Sequence, residues 1–160
     1  MKRKTNNQNS RRTFIRNSSM AAAGFFIVPR HVLGKGHIAP SDKLNIAGIG
    51  VGGMGEGGLN EFAKHAKVNI TALCDVSDKA AANSRKKFDK APYYKDFRVM
   101  LEKEKNNFDA CYIATPDNTH AVATLGAMQL GKHVYTQKPL THDIYEARVL
   151  TEAAKKYKVV

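Results

Sequence analysis

From residue 44 onward the chain alternates short apolar runs with stretches in which apolar residues recur every three or four positions. The runs are 44–49 (LNIAGI), 68–74 (VNITALC), 92–94 (PYY), 108–114 (FDACYIA) and 133–136 (HVYT). Short apolar runs separated by helical periods predict strands of a parallel sheet covered on both faces. The first predicted helix, about 54–64, carries Leu59, Phe62, Ala63 and Ala66 at helical spacing. Ser77 or Asp78 is expected to cap a second, with Ala81, Arg85 and Phe88 on one period, and Asp96 a third, with Phe97, Met100 and Leu101. A fourth helix opens at Asn118 or Thr119, buries Ala121, Leu125 and Met128, and ends at Gly131. Thr141 is expected to cap a long fifth helix with Ala147, Leu150, Ala154 and Tyr157 on its stripe, after which 158–160 begins a sixth strand. The fold class is therefore α/β, a doubly wound parallel sheet over 44–160. No pattern of a second domain follows, so a C-terminal substrate domain is expected to be absent from this sequence.

Residues 1–43 read differently. They hold nine Lys or Arg against one acid, while 44–160 hold 17 against 13, so most of the +12 net charge belongs to the leader. The basic balance lies in that leader, and the domain has no basic stripe interleaved with aromatics, which argues against a nucleic-acid partner. Arg85-Lys86-Lys87 reads as a solvated helix face. Within the leader, Arg11-Arg12 precedes Phe14 and Ile15, and 20–28 (MAAAGFFIV) forms a short apolar stretch closed by Pro29. Nine apolar residues are too few for a membrane span, which takes about 20. The pattern is that of a twin-arginine export signal, implying the twin-arginine machinery as partner and a periplasmic or otherwise exported location. Cys74 and Cys111 each lie in a predicted buried strand and read as small apolar fillers. No metal-ligand spacing is present.

The chemistry sits where the first run meets Gly50-Val51-Gly52-Gly53-Met54-Gly55. Gly50 suits the tight turn off a strand, Gly52 a close backbone approach to a pyrophosphate, and Gly55 close packing of the following helix. The helix N-terminus then offers N–H groups and a positive dipole end to phosphates. Asp75 closes the next strand, 20 residues after Gly55. A carboxylate there accepts hydrogen bonds from the hydroxyls of an adenosine ribose and opposes a 2′-phosphate, so NAD is the expected cofactor and NADP the less favoured one.

Two further segments, 114–120 (ATPDNTH) and 131–140 (GKHVYTQKPL), complete a resemblance. With the glycine fingerprint before them they make 44–160 resemble the nucleotide-binding half of the Gfo/Idh/MocA oxidoreductases, relatives of glucose-fructose oxidoreductase and inositol dehydrogenase. The resemblance implies hydride transfer between NAD and a sugar, polyol or related small molecule, a homo-oligomeric full-length protein, and a proton-shuttling role for Lys138 beside the nicotinamide. It also implies that Thr115, Pro116 and Asn118 line the cofactor path, and that Pro139 fixes the backbone at the cleft, where a cis bond is expected. A glutamate usual in the family is here Gln137, which can hydrogen-bond a cofactor ribose but cannot ion-pair with Lys138. His120 invites a catalytic role near the cofactor edge, but orienting the loop by hydrogen bonding is the stronger reading. Asp117 and Asn118 also suit turn or cap positions. Two alternatives stay open: a glycosidase that oxidises a sugar transiently and eliminates the leaving group, and a nucleotide-binding module without turnover.

Overall fold

The computed structural model describes residues 42–160; the leader expected to be a twin-arginine signal, but for its last two residues, lies outside them. Five strands form one sheet in the order β3-β2-β1-β4-β5. They are β1 (Leu44–Ile49), β2 (Val68–Cys74), β3 (Tyr93–Tyr94), β4 (Ala110–Ile113) and β5 (His133–Thr136), and every pairing is parallel. The helices α1 (Met54–Ala63), α2 (Ala82–Lys87), α3 (Phe97–Glu104) and α4 (Asp117–Gln129) connect them in turn, and α5 (Ile144–Tyr157) follows β5.

Alternation along the strands, shifted once in β2 where Ile46 pairs with Ile70 and Ala47 with Ala72, sorts the core onto two faces. Ala47, Ile49, Ala72, Cys74, Cys111 and Ile113 point to one face, packed with Met100 and Leu101 of α3 and Ala123 and Ala127 of α4. Ile46, Ile70, Leu73 and Tyr112 point to the other, packed with Leu59 of α1 and Ala81. A third cluster joins α4 to α5 through Ala121, Met128, Leu150 and Ala153. The doubly wound sheet is thus as expected. Both cysteines are buried and free.

Several boundaries differ from the sequence reading, each for a local reason. The second helix starts at Ala82, not at Ser77 or Asp78: the Ser77 carbonyl and hydroxyl first close a turn by accepting from Ala81 and Ala80. On that helix the buried position is Ser84, whose hydroxyl donates to the Val51 carbonyl at 2.6 Å, while Arg85 lies exposed over the Tyr93 ring. α4 opens at Asp117, before Asn118, with Pro116 as its cap and the Asp117 carboxylate accepting from Asn118 N. The cap of α5 is Asp143, not Thr141. Its carboxylate accepts from Glu146 N at 2.8 Å while Glu146 accepts from His142 N at 2.9 Å, a reciprocal arrangement like a capping box. Thr141 instead donates to the Asp143 carbonyl.

The fourth strand is shorter than 108–114, and 158–160 is not a strand. Lys158 adopts a left-handed conformation that ends α5. Val134 N donates to the Val160 carbonyl at 2.7 Å, and Val160 N donates to the His133 imidazole at 3.2 Å.

Candidate functional site

Parallel strands deliver their carboxyl ends to one edge of the sheet, and here hydrogen bonds just past the strands keep those ends level. Gly50 N donates to the Cys74 carbonyl, Asp75 N to Tyr94, Ala114 N to Ile49 and Gln137 N to Ile113, each at 2.8–3.1 Å. Gly50, Asp75, Thr115 and Lys138, from four different loops, therefore share one edge.

At the centre, β1 turns sharply into α1. Gly50 has φ +75°, and a Cβ there would sit 2.7 Å from the Ala114 backbone. A Cβ on Gly55 would lie 1.7 Å from the Gly50 carbonyl oxygen. These two glycines therefore serve the turn and the helix packing expected of them. Gly52 adds a local reason: a Cβ would strike Ala80 at 2.6 Å. Gly53 and Met54 are exposed where the helix begins.

Asp75 spans the turn that carries these glycines. One carboxylate oxygen accepts from Gly52 N at 3.0 Å and the other from Ser77 N at 2.9 Å, which fixes the carboxylate at the mouth of the cleft. Each oxygen keeps a lone pair for a further donor. Opposite it, Thr115, Pro116 and Asn118 line the same cleft, of about 730 Å³, a size suited to a small-molecule ligand. Among the described residues, the buried hydroxyl of Thr115 has no hydrogen-bond partner. An orphaned hydroxyl, an anchored carboxylate and a glycine turn free of side chains fit a dinucleotide.

Lys138 follows β5, exposed, and its bond to Pro139 is cis. His120 is buried beneath this loop. Its Nδ1 lies 2.7 Å from the Pro139 carbonyl oxygen and its Nε2 2.7 Å from that of Thr115, so the ring bridges the two loops of the site. Carbonyl oxygens only accept, so the ring donates wherever it carries a proton. Gln137 faces the α1 side of the sheet, where its amide donates to the Tyr112 hydroxyl at 3.1 Å, with its carbonyl 3.4 Å from Lys138 N. Neither His120, Gln137, Lys138 nor Pro139 lines the cleft that holds Asp75.

Sequence reasoning missed the far wall of that cleft, formed by Lys95, Asp96, Phe97 and Arg98. The signal was present: a third strand beside the second must bring its carboxyl end next to Asp75. Burial pushes the Cys74 thiol up to about 12, and it raises Cys111 as well. Neither thiol is a nucleophile or ligand in this state. Among the described residues there is no cluster of metal-ligating side chains, and no helix is long and apolar enough to cross a membrane.

The family model for the GFO_IDH_MocA oxidoreductases, described as an NAD-binding Rossmann fold, matches residues 44–160. The chain belongs to this family. Its described part is thus an NAD-binding Rossmann domain, in keeping with the sheet order and the glycine turn. A protein named glycosyl hydrolase family 109 protein from Saccharopolyspora erythraea is 28% identical over 172 residues, covering 92% of this chain and 37% of that relative. Among solved structures, the myo-inositol 2-dehydrogenase of Lactobacillus plantarum superposes with a TM-score of 0.66 at 26% identity, covering 72% of this chain and 34% of that one. The WlbA dehydrogenase of Bordetella pertussis, solved with NADH and UDP-GlcNAcA, shares the fold with a TM-score of 0.68 at 21% identity, covering 76% of this chain and 35% of that one. The chain spans little more than a third of the length of these relatives.

Proposed function

We propose that this Gfo/Idh/MocA domain serves an NAD-dependent oxidoreductase that acts on a sugar, polyol or related small molecule. The observation that carries the reading is the level sheet edge on which the glycine turn, Asp75, Thr115 and Lys138 meet. NAD, when bound, supplies the acceptor or donor of a hydride. The backbone from Gly50 through Met54 and Gly55 takes the pyrophosphate, Asp75 the adenosine ribose, and Thr115, Pro116 and Asn118 the path between. Lys138 exchanges the proton of the substrate hydroxyl as the carbon is oxidised or reduced. His120, Gln137 and Pro139 hold the loop that presents it. The substrate pocket and further catalytic groups belong to a C-terminal domain of a homo-oligomeric full-length protein, exported by the twin-arginine route to the periplasm.

The relative named as a glycosyl hydrolase favours a second reading, in which a sugar is oxidised transiently, loses its leaving group and is reduced again. The same cofactor site and the same lysine serve both. A panel of sugars, polyols and aryl glycosides, assayed with the full-length protein and NAD, separates them. Net NADH accumulation with a free sugar or polyol supports the dehydrogenase, whereas product release without net NADH supports the glycosidase. Protein that neither binds NAD in a titration nor yields product from any of the panel sinks the proposal.

A further inference from the structure

His120 is the one buried imidazole among the described residues, and an acceptor stands at each of its nitrogens. The Pro139 carbonyl oxygen lies 2.7 Å from Nδ1, and the Thr115 carbonyl oxygen 2.7 Å from Nε2. A carbonyl oxygen cannot donate, and a neutral imidazole carries a single N–H. A neutral ring therefore turns a bare lone pair on one of the two oxygens, and only a ring protonated on both nitrogens bonds both. The two oxygens belong to different loops. Thr115 follows β4 and lines the cleft that holds Asp75, whereas Pro139 directly follows Lys138.

We infer that His120 is a proton-dependent positioning residue: with both nitrogens protonated it ties the Lys138 loop to the Thr115 loop, and with one it releases one of them. The inference rests on the proposed role of Lys138 and makes the charge state of a buried ring set how firmly that lysine is held beside the nucleotide cleft. His120 lies in the first turn of α4, whose positive end opposes a charged ring, and Asp117 in the same turn offsets that end. The other titratable or charged groups on the elements packed around it are Lys138, His142 and Asp143, all exposed, and half-buried Glu146. Asp143 and Glu146 are engaged in capping α5. His142 stands 3.5 Å from Asp117 and so spans the same two loops, but as an exposed pair it holds weakly. Acidification completes the His120 tie, and alkalisation undoes one end of it.

The experiment is a pH titration of the isotope-labelled chain by nuclear magnetic resonance. Long-range proton–nitrogen spectra distinguish a doubly protonated His120 ring from either neutral tautomer, and the carbonyl carbons of Thr115 and Pro139 report the two bonds. On the acid side both ring nitrogens should carry the protonated signature. As the pH rises one proton should be lost, and one of the two carbonyl carbons and the Lys138 amide should shift with the same midpoint as the ring. His142→Gln, an exposed substitution outside the proposed machinery, removes the neighbouring imidazole and should leave these shifts in place. A ring whose protonation never changes while the chain is folded overturns the inference. So does a ring that loses a proton while both carbonyls and the Lys138 amide stay still, or a loop response that disappears in His142→Gln. No substitution of His120 is needed, so a folding defect cannot produce either result. None of these signals depends on turnover, so their failure leaves the role of Lys138 to the kinetics of Lys138→Ala.

Discussion

At the scale of single residues, the site is a set of side chains held by their neighbours and glycines that leave room for them. Gly58 illustrates the second kind. A Cβ at this position would sit 2.1 Å from the hydroxyl of buried Tyr112, the same hydroxyl that accepts from Gln137. Gly58→Ala should therefore destabilise the domain by about 1–3 kcal/mol, the range for overpacking a core. Urea unfolding measures it, and adding Tyr112→Phe should return only part of the loss because the ring carbon beneath the hydroxyl is itself within 2.4 Å. A Gly58→Ala chain as stable as the parent would show that α1 slides without cost. The cysteines give a test with the opposite logic. With Cys74 pushed up to about 12 and Cys111 raised by burial, the reactive thiolate is scarce at pH 8, so native protein should resist alkylation until denaturant is added. Rapid labelling of folded protein at that pH, read by mass spectrometry, would contradict the burial.

At the scale of elements, the strands and their sequence-read helices were legible because their signals are local, and the boundaries were not because they depend on neighbours. Asp96 was readable as a cap, and its carboxylate does accept from Arg98 N at 2.9 Å. Asp143 was passed over for Thr141 because its advantage comes from the reciprocal bond between Glu146 and His142 N. Ser84 was invisible for a related reason: a serine on a helix reads as polar surface until the Val51 carbonyl arrives beneath it. Val160 meets β5 through one backbone bond, from Val134 N, with its own N–H on the His133 imidazole. The glycine turn and Asp75 were legible as a site, but the wall of Lys95 to Arg98 required the pairing of β2 with β3 to be seen. Cap strength is testable at this scale. Asp96→Ala should lower the denaturant midpoint and Asp96→Asn should lower it much less. The Arg98 pair and its backbone bond depress the Asp96 pKa below 3.8, so the contribution of the charged cap is complete above the ordinary value and is lost as pH falls through the depressed one. Equal stabilities of the alanine and asparagine variants would rule out the capping role. His120 acts between elements, and His120→Ala strands two carbonyls that its ring now contacts, at about 1–3 kcal/mol if water does not replace it. His120→Asn reaches less far and should restore one contact at most.

At the scale of the whole molecule, the question is how cofactor capture, proton transfer and location are divided along the chain. The proposed function assigns location to the leader. A reporter fused to residues 1–43 should reach the periplasm, and Arg11→Lys with Arg12→Lys should abolish export although the charge is unchanged, because the pair is read by a receptor; unchanged export would remove the periplasmic assignment. Cofactor capture and proton transfer are assigned to different loops of one sheet edge. The glycine turn and Asp75 are complete within the described domain, with their hydrogen bonds made inside it. Lys138, in contrast, is exposed on a loop that the domain itself does not enclose. Positioning and exclusion of water govern how far a general acid or base accelerates a reaction, so binding and turnover should separate. The chain described here should bind NAD and turn over no substrate, whereas the full-length protein should do both. In that full-length protein, Lys138→Ala should leave NAD affinity nearly intact and lower turnover by roughly 10²–10⁴-fold, the usual contribution of a positioned acid or base. Cofactor titration and steady-state kinetics on the same preparation read the two effects independently. A Lys138→Ala protein with normal turnover would remove the lysine from the mechanism while leaving the cofactor site standing, and one that fails to bind NAD would place Lys138 in cofactor capture instead.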